Sequence, residues 1–75
     1  MTYEEQENLI RIARKNKEES LEILADIPIY YEADRHDYKY IINAATERDA
    51  INKYYWMDTA AREEFITIIK SAYGI

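Results

Sequence analysis

Residues 27–43 read Ile-Pro-Ile-Tyr-Tyr-Glu-Ala-Asp-Arg-His-Asp-Tyr-Lys-Tyr-Ile-Ile-Asn, and the period assigned to them decides the fold. Read with a period of two, Ile27, Ile29 and Tyr31 share one face, with Pro28, Tyr30 and Glu32 opposite. Tyr38, Tyr40 and Ile42 repeat the pattern, with Lys39, Ile41 and Asn43 opposite. The polar, turn-prone run Ala33-Asp34-Arg35-His36-Asp37 lies between the arms. Side chains of a strand alternate faces. Tyr and Ile suit a pleated, half-buried surface. Pro28 has no amide donor and belongs at a strand start or edge. The stretch therefore predicts a β-hairpin. A helix from about residue 28 to 45 competes with it. Ile27, Tyr30, Tyr31, Tyr38, Ile41 and Ala45 also fit helical spacing, and Pro is compatible with a first helical turn. That helix places Asp34 on its apolar stripe, which counts against it.

On either side of this stretch the pattern is helical. Thr2 with Glu5 makes a capping box, and Glu4, Glu5 and Glu7 suit the positive end of a helix dipole. Leu9, Ile10 and Ala13 form the apolar stripe, while Arg11, Arg14 and Lys15 read as a solvated face. Asn16 with Glu19 repeats the box and predicts a break near residue 16. Leu21, Leu24 and Ala25 form the buried side of the second piece. Residues 27 and 28 end it, because the residue before Pro is pushed out of the α region. Thr46 with Asp49 makes a capping box with the shorter acid and opens a helix over 47–57, with Ala50, Ile51, Tyr54 and Met57 on one arc. Asp58 caps a last helix over 59–73, which Gly74 ends. Ala61, Phe65, Ile68, Ile69 and Ala72 make its stripe. The expected fold class is α+β: an N-terminal helix broken near Asn16, one β-hairpin and two C-terminal helices. An all-α small helical bundle is the alternative.

Seventy-five residues make a single small domain, 1–75. A domain of this size buries only about 60% of its unfolded surface. With no Cys, neither disulfides nor thiolate metal sites reinforce it. The hydrophobic fraction of 48% is enough for a core and too high for a disordered chain. The net charge is −5, and residues 1–26 carry seven acids against four bases. That sign opposes direct binding to nucleic-acid phosphates or anionic membranes and suits a basic protein partner. No apolar run approaches the ~20 residues of a membrane span, and Met1 begins no signal-peptide pattern, so a cytoplasmic location is expected.

Catalytic signatures are missing. His36 is the only His, and Asp34, His36 and Asp37 on one turn lack motif-grade metal spacing. One Gly excludes a Gly-rich phosphate loop. Adjacent carboxylates such as Glu63 and Glu64 point ~100° apart on a helix and share no site. No enzyme activity, cofactor or metal is expected.

Tyr54-Tyr55-Trp56-Met57 departs from a plain core pattern. Helical phase sets Trp56 with Asp49, Asn52 and Lys53 on the polar side, and Trp and Tyr dominate interface hot spots. The expected function is a non-enzymatic protein-binding module that modulates or inhibits a partner protein. Trp56, Tyr55 and Tyr30 would be anchors, rimmed by Asp49, Asn52, Lys53 and Glu32. A competing structural reading has the last helix fold back over Trp56. Two alternative functions stand beside the first. One is a nucleic-acid mimic occupying a basic groove through Glu4, Glu5, Glu7, Glu18, Glu19, Glu22, Asp34 and Asp37. The other is a structural homo-oligomer, such as a homodimer, burying the same aromatics. In size, acidity and order of elements the chain resembles small inhibitory proteins encoded by phages, anti-CRISPR proteins among them. The likeness is of general type and transfers no residue roles.

Overall fold

The computed structural model describes all 75 residues and holds five helices: α1 (Tyr3–Lys15), α2 (Lys17–Asp26), α3 (Glu32–Asn43), α4 (Glu47–Trp56) and α5 (Thr59–Tyr73). No strand forms. The α+β class and the hairpin over residues 27–43 are therefore overturned, and the chain is an all-helical small bundle. Residues 27–31 are a short connection, and α3 takes up the rest of that stretch.

Side-chain burial shows why the helical period wins. Tyr38, Ile41 and Ile42, at i, i+3 and i+4, are all buried. The hairpin would have turned Ile41 outward and Tyr31 and Tyr40 inward. Instead Ile41 is fully buried, and Tyr31 and Tyr40 are 61% and 49% exposed. A helix also satisfies its backbone internally, whereas a lone two-stranded hairpin leaves unpaired edges and is marginally stable. Asp34, the objection to the helix, lies in its first turn, where the helix dipole favours an anion.

Helix α3 packs against α1, α2 and α4, and α1 also packs against α5. Tyr38 of α3, Tyr54 of α4 and Phe65 of α5 meet at the centre, with ring centroids 5.3 Å (Tyr38–Phe65) and 6.1 Å (Tyr54–Phe65) apart. Glu64 fastens the 27–31 connection to this centre. Its carboxylate accepts from the Tyr38 hydroxyl at 2.6 Å and from the Tyr30 amide at 3.2 Å. Burial, then the bond to Glu64, pushes the Tyr38 phenol far above its ordinary pKa. Ile66 joins the core beside the expected stripe, while Ala72 and Ala25 stay exposed.

The starts of α1, α4 and α5 follow the sequence. Thr2 and Glu5 form the full capping box and Asp58 accepts from the Ala61 amide, whereas at α4 Thr46 accepts from the Asp49 amide but the Asp49 side chain does not return the bond, so only half of that box forms. Only α5 ends in glycine, with Gly74 left-handed at φ 68°. Arginines from other elements cover three further ends, where carbonyls lack helical partners. Arg14 donates to the carbonyls of Ile41 at 2.8 Å and Ala44 at 3.0 Å, at the end of α3. Arg35 donates to Leu24 and Ile27 at the end of α2, and Arg62 to Met57 after α4. Arg14 is thus a tertiary cap, not part of a solvated face. The break at Asn16 is present, but its box with Glu19 is not. The Asn16 side chain turns back to the Ile12 carbonyl at 2.9 Å. Ser20 seals the same corner. Its buried hydroxyl donates to the Ala13 carbonyl at 2.7 Å and lies 2.6 Å from the Tyr73 hydroxyl.

Candidate functional site

Helix α4 and the corner after it set the position of Trp56. The helix ends at Trp56, and Met57 adopts an extended conformation, with φ −71° and ψ 155°. Arg62 holds the Met57 carbonyl, and Asp58 caps the next helix. The corner thereby draws Met57 into the core, at 7% exposure, and leaves Trp56 outside at 87%. Helix α5 does not fold back over the indole.

Trp56, Asp49, Asn52 and Lys53 line one shallow depression, together with Tyr40 of α3. Lys53 is held there by Asp37, 3.1 Å away, and its ammonium lies 5.8 Å from the Tyr40 ring centroid. The charge of Lys53 is therefore already engaged. Asp49 and Asn52 are exposed, and their side chains make no bond to other residues of the chain. Sequence reasoning missed Tyr40 because the hairpin turned it inward. Helical phase on residues 32–43 supplies the signal, since Tyr40 lies about 160° from Tyr38, away from the core.

The other expected anchors lie elsewhere. Tyr55 is half-buried between α1 and α4. Its ring stands edge-on to Tyr3 at 5.7 Å, and its hydroxyl donates to Glu7 at 3.1 Å. Burial, then this hydrogen bond, pushes its phenol up to about 12. Tyr30 is 81% exposed on the 27–31 connection and stands edge-on to Tyr31 at 4.6 Å. Glu32 pairs with Arg35 at 2.9 Å, and that bond holds its carboxyl below the ordinary glutamate value. Tyr30 and Tyr31 overhang a recess lined by Asp34, Asp58 and Glu64. There, burial first and then Asp58, Glu64 and Asp37 push the Asp34 carboxyl up. Asp34, His36 and Asp37 do not converge: Asp34 faces this recess and Asp37 faces Lys53. The structure thus brings four of the seven expected residues together and adds Tyr40.

These positions describe a shallow surface that combines exposed aromatic area with a few polar groups. Comparison with protein-family models, with curated proteins and with solved structures found no match.

Proposed function

We propose that the chain is a non-enzymatic protein-binding module that modulates or inhibits a partner protein through the α3–α4 face centred on Trp56. The observation that carries this reading is the 87% exposure of an indole on a capped helix, beside a Lys53 pinned by its ion pair to Asp37. Trp buries large area with few rotors, and such residues dominate binding energy at interfaces. Tyr40 adds a second aromatic surface. Asp49 and Asn52 offer polar groups for a rim, which excludes water around the hot spot.

The mimic reading draws support from α2, where Glu18, Glu19 and Glu22 are exposed and outside every ion pair of the chain. Its acidic row is interrupted, however. Glu7 is paired with Arg11, and Asp37 with Lys53.

A tagged pull-down from lysate, washed at low and high salt, tests the proposal. Trp56→Ala should leave the helical circular dichroism intact and weaken partner retention by roughly 30-fold or more, as for a hot-spot residue. Undiminished retention by Trp56→Ala refutes the assignment of this face. A partner lost at high salt and displaced by DNA moves the reading to the mimic.

A further inference from the structure

The face assigned above carries a pattern that fits a copy of itself. Arg48, Asn52 and Trp56 follow one another at intervals of four residues along α4 and are all exposed. Residues spaced by four lie in one row on a helix surface, so a two-fold axis through the middle of the row sets its two ends opposite one another. Arg48 makes no ion pair or side-chain hydrogen bond within the chain, and Trp56 is 87% exposed. Trp is the best cation–π ring, and Arg is the cation more often found over it.

From this arrangement we infer that α4 pairs antiparallel with α4 of a second copy across a two-fold axis at Asn52. Asn52 lies midway between Arg48 and Trp56. Turning the ridge about that point sets each Arg48 against Trp56 of the other copy. Both cation–π contacts then form at once, and the two Asn52 amides meet on the axis, where each offers a donor and an acceptor. Such pairing is isologous, the usual geometry of homodimers. This inference rests on the reading of the Trp56 face as a binding surface. It adds that, without its partner, the chain covers that surface with itself, so partner and second copy compete.

Sedimentation of the full chain from micromolar to millimolar concentration tests it, with Trp56 emission as a local reporter because the chain has one Trp. The apparent mass should rise from 9.0 kDa towards twice that value, and the emission should shift to the blue in step. Arg48→Ala should weaken pairing by about tenfold or more. Asn52→Lys, which sets two ammonium groups on the axis, should also weaken it. Mixing Arg48→Ala with Trp56→Ala should restore part of the mass, because one intact Arg–Trp contact returns in the mixed pair. A mass of 9.0 kDa throughout, a dimer with unshifted emission, or a dimer indifferent to Arg48→Ala and Asn52→Lys overturns the inference. A monomer that still captures a partner through Trp56 overturns only the self-pairing. A chain that neither pairs nor captures overturns both.

Discussion

Replacing Arg14 with Met tests whether tertiary capping holds this bundle together. Arg14 and Arg11 lie one turn apart on α1, and composition does not tell them apart. Arg14 reaches across to the carbonyls of Ile41, Ile42 and Ala44 at 2.8, 3.3 and 3.0 Å. Helix α3 ends there without glycine. Met preserves most of the apolar stem and removes the guanidinium, so the carbonyls lose a charged donor in a partly buried place. A hydrogen bond to a charged group contributes about 1.5–3 kcal/mol, and a cation at a helix C-terminus about 0.3–1 kcal/mol. Discounting for partial exposure gives a loss of about 2 kcal/mol. In a domain this small, each kcal/mol moves Tm by ~4–8 °C, so Tm should fall by roughly 10 °C. Arg11 instead pairs with Glu7 at 3.7 Å and Glu47 at 3.1 Å on an open surface. Arg11→Met should therefore cost about 0–1 kcal/mol. Urea and thermal unfolding of the two variants, followed by circular dichroism, provide the comparison. Equal losses, or a smaller loss for Arg14→Met, would refute the cap.

Further outcomes follow from single residues. Carbon-detected NMR titration should find Glu32 below its ordinary midpoint, because of the bond to Arg35, and Asp34 above its own, because of burial and three nearby acids. Asp34 then contributes stability below the ordinary aspartate pKa that is lost as pH rises through its folded value, while the Glu32 contribution is lost as pH falls through its own. An Asp34 midpoint at or below the ordinary value contradicts the recess geometry. Ultraviolet titration should place Tyr55 near about 12, and Glu7→Gln should bring it part of the way down; no change in the variant means the hydrogen bond to Glu7 is absent. Gly74→Ala should cost about 1 kcal/mol from the left-handed backbone alone, because no atom lies within 4 Å of the added Cβ. A neutral result in chemical denaturation means that the end of α5 frays without penalty.

The sequence by itself determined the parts that depend on neighbours three or four residues apart. Thr2, Thr46 and Asp58 start their helices, the chain breaks at Asn16, Gly74 ends α5, and Leu9, Ile10, Ala13, Ala50, Tyr54 and Phe65 enter the core. Caps and stripes are local chemistry, so they are legible along the chain. Residues 27–43 were not, because Tyr and Ile there satisfy a period of two and a period of 3.6 equally well. The choice came from contacts far away in sequence: Phe65 receiving Tyr38, Glu64 holding Tyr38 and Tyr30, and Arg14 closing the end of α3. The same holds at the candidate site. Helical phase placed Trp56 with Asp49, Asn52 and Lys53, but whether α5 covered the indole depended on the corner. Only the tertiary structure decided that α5 leaves the indole uncovered, because burial of Met57 in the core and the Arg62 bond to its carbonyl fix the path of the chain there.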